Sequence, residues 1–185
     1  MQKVITSVRV FFVYAFLLGL IYPLFVMGIS QVIFPHQANG SLRKSNNKVI
    51  GSTLIAQEFT SPKYFHSRFS AINYNAASSG GSNFAPSNKK LIEATKDHIA
   101  QVKLENEWSA NLQLPADMVL NSASGLDPHI SWTNTMLQLP RVAKARGLSE
   151  EKVKALVYAN INHDFIGVWG KSVVNVLQLN LALDE

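Results

Sequence analysis

The sequence predicts a single N-terminal transmembrane helix followed by one mixed α/β (α+β) domain outside the cytoplasm. Two observations lead to this fold class. The 25 residues from Val10 to Phe34 contain no Asp, Glu, Lys, Arg or His. Residues 35–185 then mix helical and strand-like apolar spacing, and they are numerous enough for one domain with its own core.

The uncharged run predicts a membrane-spanning helix over residues 10–34. At ~1.5 Å per residue the run is about 37 Å long, more than a hydrocarbon core of ~30 Å. A cleaved signal peptide is the alternative, because the chain begins with basic groups. Such a peptide has an apolar stretch of ~7–15 residues and a small-x-small cleavage site. This run is longer and no such site follows it, so we predict an uncleaved signal anchor.

Basic residues flank the run on both sides, and their balance does not settle the orientation. They are Lys3 and Arg9 before the run, and Arg43, Lys44 and Lys48 after it. Retention of a short tail is the simpler insertion event. We therefore predict a cytoplasmic tail over residues 1–9 and an extracytoplasmic, periplasmic domain over residues 35–185. The basic residues near the membrane would then meet anionic lipid headgroups.

Three residues within the run predict a helix–helix interface. Ala15, Gly19 and Pro23 recur every fourth residue, and small residues at this spacing allow another helix to approach closely. Pro23 is also expected to bend the helix. The alternative is that Gly and Pro are simply common in transmembrane helices.

The first half of the outer domain is expected to contain little regular structure. Residues 48–59 are rich in β-branched and apolar side chains and predict one or two short strands. Residues 60–88 predict a long loop. Residues 89–108 show helical apolar spacing, with Ser87 or Asn88 as the N-cap.

In the second half of the outer domain, the sequence predicts a short strand followed by a first helix. Residues 114–124 predict a short strand that runs into a turn at 124–128. Residues 131–146 predict a helix interrupted at Pro140 and closed by Gly147.

A further helix is predicted from Ser149, and the final segment is ambiguous. The helix has apolar residues on one face, namely Val153, Leu156, Val157 and Ile161. Residues 173–183 alternate in polarity and favour a strand, with a short buried helix as the alternative.

We predict no catalytic, cofactor-binding or metal-binding residue in this chain. Gly170-Lys171-Ser172 resembles the end of a phosphate-binding loop, but position 165 is Phe where that loop needs Gly. The histidines show no metal-ligand spacing, and there is no cysteine. They are His36, His66, His98, His129 and His163. The basic residues are scattered, which argues against nucleic-acid binding.

Two groups of residues near the turn and the helix end have simple structural explanations. A Ser-His-Asp set could in principle be formed by Ser122 or Ser124 with His129 and Asp127. A turn is the simpler explanation of these residues. The basic helix end is explained by favourable charge at a helix C-terminus. It consists of Arg141, Lys144 and Arg146.

Seven short segments carry a family resemblance. They are 38–42 (ANGSL), 51–59 (GSTLIAQEF), 64–71 (YFHSRFSA), 77–88 (ASSGGSNFAPSN), 122–131 (SASGLDPHIS), 139–147 (LPRVAKARG) and 174–184 (VNVLQLNLALD). In this order they resemble the C subunit of the Kdp-type bacterial potassium-transporting ATPase. Phe69 and Lys89 stand where that family usually has Pro, and both changes loosen the backbone locally.

The resemblance implies a non-catalytic accessory subunit of a high-affinity ATP-driven potassium uptake complex. The partners would be a channel-like potassium-binding subunit, a P-type ATPase catalytic subunit that hydrolyses ATP, a small hydrophobic subunit and membrane lipid. The complex would use ATP and Mg and transport potassium, with no cofactor bound to this chain. The location would be the bacterial inner membrane, with a single pass and a cytoplasmic N-terminus.

The family's C subunit stabilises assembly and is described as a catalytic chaperone that raises the ATP affinity of the ATPase subunit. An outer domain could do this only by binding two conformations unequally. A cap over the potassium entrance is the mechanism we expect. The alternatives are a membrane-anchored extracytoplasmic binding or sensor module and an anchored hydrolase.

The segment 77–88 is predicted to be an ordered loop, since an aromatic residue and a helix start follow its glycines and the block recurs in the family. We expect Gly80 and Gly81 to adopt backbone angles that other residues avoid, and Phe84 to anchor the loop to the core. The predicted structural or subunit-contact residues are Gly80, Gly81, Ser82, Asn83, Gly125 and Asp127.

Overall fold

The computed structural model of the protein describes residues 1–45, 48–162 and 170–185. The chain divides into two compact units, Met1–Val49 and Ile50–Glu185. The first contains the N-terminal helix and most of a β-hairpin. The second is a mixed domain of helices and short strands.

A helix of 32 residues, Gln2–Ile33, dominates the first unit and confirms the predicted long apolar helix. It consists of α1 (Gln2–Phe16), a π-helical segment (Leu17–Ile21) and α2 (Tyr22–Ile33). The π segment ends just before Pro23, which has no N–H to donate and therefore disturbs the regular hydrogen-bond ladder. The helix also includes most of the predicted tail over residues 1–9.

A single helical turn and a β-hairpin follow the long helix. The turn is α3 (Pro35–Ala38), and the hairpin consists of β1 (Leu42–Ser45) and β2 (Lys48–Ser52). The strand predicted within residues 48–59 is confirmed for β2. Strand β1 was not predicted, because its short polar sequence lacks the β-branched residues that indicate a strand.

The second unit is built on a three-stranded antiparallel sheet with the strand order β3-β5-β4. The strands are β3 (His129–Ser131), β4 (Ile161–Asn162) and β5 (Val173–Asn175). Val174 of β5 lies opposite Ile130 and Ile161 of its two neighbours. The helices are α4 (Lys89–Glu105), α5 (Ala116–Val119), α6 (Trp132–Arg146), α7 (Glu150–Ala159) and α8 (Val176–Ala182).

Polar side chains fix the starts of the four longer helices in the second unit. Each side chain accepts a hydrogen bond from a backbone N–H of the first turn, as expected of an N-cap. The caps are Asn88, Ser131, Ser149 and Asn175. Gly147 ends α6 in the left-handed conformation with a φ of 64°. The predicted cap at Asn88, the start at Ser149 and the closure at Gly147 are therefore confirmed.

Three predictions about this unit were wrong. The predicted strand over 114–124 is instead the single turn α5, which follows Pro115 and buries Met118 and Val119. Pro140 does not interrupt α6, which is continuous and buries six of its side chains. The strand favoured over 173–183 covers only β5, and the alternative helix is right for α8 because Asn175 caps it.

The main core of the second unit lies between the sheet and α6, α7 and α8. Its fully buried members come from all of these elements and from the long loop. They are Phe65, Ile130, Val142, Val153, Val157, Val174, Val176 and Leu179. A second, smaller cluster contains Val102, Met118 and Val119 and joins α4 to α5. The predicted loop over residues 60–88 is confirmed, and only its Phe65 belongs to the main core.

Candidate functional site

The long helix exposes its whole apolar surface. None of the residues in Gln2–Ile33 is buried, and large side chains such as Phe11, Leu18 and Phe25 are about two-thirds exposed. A Cβ atom added at Gly19 would meet nothing within 4 Å. The predicted interface residues Ala15, Gly19 and Pro23 all lie in this helix. Their contact with another helix stays a prediction.

In the second unit, side-chain amides hold the backbone of the long loop where a neighbouring strand would normally do so. The Phe65 N–H donates to Asn180 Oδ1 at 2.8 Å, and the Phe65 carbonyl accepts from Asn180 Nδ2 at 2.9 Å. His66 forms the same reciprocal pair with Gln138, at 2.8 and 3.1 Å. Both amide side chains are buried, so these bonds are shielded from water.

The basic end of α6 does more than balance helix charge, and in this respect the simple explanation was insufficient. Arg141 donates to the carbonyls of Pro62 and Tyr64 at 2.6 and 3.1 Å. Arg146 donates to the carbonyl of Lys63 at 2.7 Å. The two guanidinium groups therefore fasten the start of the same loop. Lys144, the third basic residue, forms an exposed ion pair between its Nζ and Glu107 at 2.8 Å, and Arg146 also pairs with Asp184 Oδ1 at 2.8 Å.

Three loop stretches meet on another side of this unit, and we call the assembly the loop junction. It consists of residues 68–74, 79–83 and 122–129. The Gly80 N–H donates to the Ser124 carbonyl at 2.8 Å, and Ser70 Oγ donates to the Gly125 carbonyl at 2.7 Å. The predicted ordered loop and the turn therefore contact each other directly.

Two expectations about this loop were wrong. Neither Gly80 nor Gly81 has a positive φ, so backbone angle does not explain them. Close approach explains Gly81 instead, since a Cβ atom there would lie 2.7 Å from the Ala123 carbonyl oxygen. Phe84 is 41% exposed and does not anchor the loop in the core.

The other predicted loop residues also lie in the junction. Asn83 has a φ of 53°, and Gly125 has a φ of 69°. A Cβ atom at Gly125 would lie 2.5 Å from Ile72 and 2.6 Å from the Gly80 carbonyl oxygen. Gly125 therefore meets both requirements that favour glycine. Ser82 is half-buried, and contact of these residues with another subunit stays a prediction.

Asp127 supplies the central charge of the loop junction. Its Oδ2 accepts from Arg68 Nη1 at 3.0 Å, and its Oδ1 accepts from the His129 N–H at 3.0 Å. Burial, the largest single influence, favours the protonated carboxyl. The contacts with His129 and Arg68 together outweigh it and lower the pKa of Asp127 to about 2. The carboxylate is therefore ionised at neutral pH and fixes the turn.

The possible Ser-His-Asp set is not arranged for catalysis. Ser122 Oγ lies 3.1 Å from Ser124 Oγ, and both hydroxyls accept from backbone N–H groups of the turn. His129 Nδ1 lies 3.7 Å from Asp127 Oδ1, too far for a hydrogen bond. These residues build the turn, as the simpler explanation expected.

A polar cleft of about 370 Å³ lies between the long loop and α4. Both ring nitrogens of His66 face acceptors there, Glu105 Oε2 at 3.4 Å and the Ser61 carbonyl at 3.2 Å. The hydrogen bond with His66 is the main cause of a lowered pKa for Glu105. Burial, together with the nearby Glu58, raises the pKa of Tyr74 to about 12.

Two further features, the other histidines and the segment Gly170-Lys171-Ser172, can be assessed only where the structure describes them. Within the described ranges no group of three potential metal ligands comes together. The ring of His98 stacks on Phe69, with centroids 3.7 Å apart and planes at 4°. Phe69, which stands where the family that the sequence resembles usually has Pro, therefore has an aromatic packing partner. His163 and Phe165 lie outside the described residues, and Lys171 lies in a loop.

Sequence reasoning missed the two amides that hold the loop. Asn180 and Gln138 each stand within an apolar stretch, LQLNLAL and MLQLP. A polar residue at a position that faces the core must find a hydrogen-bond partner. That signal indicates a buried polar contact, although it does not identify the loop that supplies it.

Comparison with known proteins places these features in one family. The family model described as "K+-transporting ATPase, c chain" matches residues 4–185. A potassium-transporting ATPase KdpC subunit of Caldanaerobacter subterraneus subsp. tengcongensis is 46% identical over 184 residues, which cover 100% of this chain and 95% of that protein.

Other organisms contain similar proteins of the same description. The KdpC subunit of Gloeobacter violaceus is 46% identical, over 100% of this chain and 96% of that protein. The subunit of Mycobacterium bovis is 42% identical, over 100% of this chain and 98% of that protein. The resemblance stated from the seven segments is confirmed, and the chain belongs to the family of C subunits (KdpC) of potassium-transporting ATPases.

Proposed function

We propose that this chain is a non-catalytic accessory subunit of a high-affinity, ATP-driven potassium uptake complex in the bacterial inner membrane. The relatives are named as KdpC subunits of potassium-transporting ATPases and match along nearly the whole chain, which supports this role. In this proposal the partners are a channel-like potassium-binding subunit, a P-type ATPase subunit that uses ATP and Mg, and a small hydrophobic subunit.

The observation that carries the proposal is the exposed apolar surface of Gln2–Ile33, in which no residue is buried. A surface of this size is unfavourable in water and favourable in lipid or against other apolar helices. The helix is about 48 Å long at 1.5 Å per residue, enough to cross a bilayer with its headgroups. The helix therefore serves as anchor and as the part that meets partner helices.

In this proposal the second unit lies outside the cytoplasm and caps the potassium entrance of the channel-like subunit. Its loops are tied to helices by buried amides and by Arg141 and Arg146, which makes them a firm surface for docking. The domain would raise the ATP affinity of the catalytic subunit only if it bound one conformation of the complex more tightly than another.

The interface is tested by comparing Gly19→Trp with Leu18→Trp in the complete complex. Gly19 lies in the predicted stripe of small residues, whereas Leu18, the residue before it, points to a different side of the helix. We expect the Gly19 variant to reduce recovery of the ATPase subunits in a detergent pull-down, while the Leu18 variant retains them. Equal recovery would contradict the predicted interface.

The orientation is tested with single cysteines, because the chain has none. Cysteine at Ser7 should react with an impermeant maleimide only after the membrane is opened. Cysteine at Ser149, which caps α7, should react in intact spheroplasts. The opposite pattern would contradict the proposed topology.

The effect on nucleotide binding is tested on complexes prepared with and without this chain. We expect the apparent affinity for ATP to fall when the chain is absent, at saturating potassium. An unchanged affinity would contradict the chaperone role and leave the role in assembly to be judged by the pull-down.

A further inference from the structure

We propose that the β-hairpin formed by β1 and β2 binds the phosphate groups of anionic phospholipids in the bilayer that the N-terminal helix crosses. This inference rests on the proposed membrane span and goes beyond it, because it assigns a lipid-binding surface to a segment outside the span. We call the described residues 42–45 and 48–49 the basic hairpin.

The basic hairpin carries three cations that form no ion pair with the part of the chain that the structure describes. Arg43, Lys44 and Lys48 are exposed, and none of them forms an ion pair with another described residue. No Asp or Glu occurs before Glu58, so the surrounding sequence offers no neutralising charge. Three uncompensated cations on a short ladder provide charge complementarity for a layer of phosphates.

The basic hairpin is attached firmly to the end of the helix. Asn39 Nδ2 donates to Gln31 Oε1 at 3.1 Å, and the Ser41 N–H donates to the His36 carbonyl at 3.0 Å. Only residues 34–41 separate the helix from the hairpin, and half of them form the single turn α3. The hairpin is therefore held close to the helix end, which reaches the headgroup layer of a membrane.

Two apolar side chains on the basic hairpin indicate lipid rather than an acidic protein surface. Leu42 is 43% exposed and Val49 is 54% exposed. Apolar side chains mixed with Lys and Arg are typical of segments that lie at the boundary between headgroups and acyl chains. The cations would contact phosphate while the two aliphatic groups enter the outer edge of the hydrocarbon.

The test uses the full chain with a spin label on Ser45→Cys, the only cysteine in that variant. The chain is reconstituted in vesicles of phosphatidylcholine and in vesicles that also contain phosphatidylglycerol. We expect the label to be less accessible to an aqueous relaxation agent when phosphatidylglycerol is present, and expect salt to reverse this protection. Each basic residue should contribute about fivefold to the equilibrium constant for association of the hairpin with the anionic surface.

The charge requirement is tested by Arg43→Gln, Lys44→Gln and Lys48→Gln together. The matched control is Lys89→Gln, Lys90→Gln and Lys152→Gln, which removes the same charge from exposed positions in α4 and α7. The hairpin variant should lose the protection given by phosphatidylglycerol, and the control should keep it. Equal protection in both vesicle types, or equal loss in both variants, would overturn the proposal.

Flotation separates this result from a failure of the membrane span. If the chain floats with vesicles but the label shows no lipid dependence, lipid binding by the basic hairpin is wrong and the span stands. If the chain does not float, the span is wrong and the hairpin proposal falls with it.

Discussion

The N-terminal helix and the second unit distribute apolar residues in opposite ways. Helix Gln2–Ile33 has none of its residues buried, and its large apolar side chains face outward. The second unit encloses Phe65, Ile130 and Val157 almost completely and leaves loops and caps on the surface. One unit therefore stabilises itself, and the other depends on what surrounds it.

This difference shows that the second unit is stabilised by its own residues, whereas the N-terminal helix is not. The second unit gains free energy by removing apolar surface from water and by pairing its buried amides. The helix satisfies its backbone internally but obtains no tertiary packing from the described residues. Lipid and other helices must supply that packing in a membrane complex.

The largest effect on the stability of the second unit is expected from Phe65→Ala. Phe65 is fully buried, and its two backbone bonds with Asn180 do not depend on its side chain. We expect a loss of about 3–5 kcal/mol in the free energy of unfolding of the second unit, measured by urea denaturation. The control is Phe84→Ala, since Phe84 is 41% exposed, and it should change stability by no more than about 1 kcal/mol. Similar effects would contradict the assigned core.

The converse test places a charge on each unit. Leu18→Arg should cost about 2.5–3.5 kcal/mol in membrane insertion, because Leu18 lies near the middle of the helix. Leu104→Arg should be tolerated, because Leu104 is 82% exposed on α4. Carbonate extraction of membranes measures the fraction inserted. Full insertion of the Leu18 variant would contradict the placement of the middle of the helix in the hydrocarbon core.

A smaller effect is expected from Gly81→Ala in the loop junction. The new methyl group would meet the Ala123 carbonyl oxygen at 2.7 Å, so the two loops must separate or strain. We expect a loss of about 1–3 kcal/mol in unfolding free energy. Gly80→Ala is the matched control, because its nearest neighbour would be Ile72 at 3.7 Å, an ordinary contact. An equal or greater loss at Gly80 would contradict the explanation from close approach.

The smallest expected effect is the pH dependence caused by Asp127. Its pKa of about 2 in the folded chain is lower than the unfolded value of about 4. The ionised carboxylate therefore stabilises the fold above about pH 4, and this contribution is lost as the pH falls towards about 2. Solvent screening limits it to about 1 kcal/mol.

Asp127→Asn is the variant that isolates this contribution. Its stability should differ from that of the original chain at pH 6 and converge with it in the acid range. Urea midpoints measured across pH give the comparison. A difference that stays constant down to about pH 2 would show that the carboxylate charge does not stabilise the turn.

The sequence predicted the parts of the fold that depend on local chemistry. The uncharged run, the cap at Asn88 and the left-handed Gly147 are all set by neighbouring residues, so their signals are visible in short windows. The wrong predictions concern long-range packing. The turn α5 and the continuous α6 are determined by what they bury, and no short window shows this.

The loop junction was predicted in part for the same reason. Gly125 and Asp127 belong to a turn whose residues indicate their own conformation. Gly81 depends on the approach of Ala123, which lies 42 positions later in the chain. Arg68 pairs with Asp127 across 59 positions, so only the folded chain reveals the pair.

The π-helical segment Leu17–Ile21 has a geometric consequence for the helix surface. In a regular α-helix each residue advances about 100° around the axis, so Ala15 and Pro23 would stand about 80° apart. The wider π-helical turn holds one extra residue, which reduces the total rotation between the two positions by about 100°. The directions of Ala15 and Pro23 around the helix axis then differ by only about 20°. A single straight helix can therefore contact both positions without supercoiling.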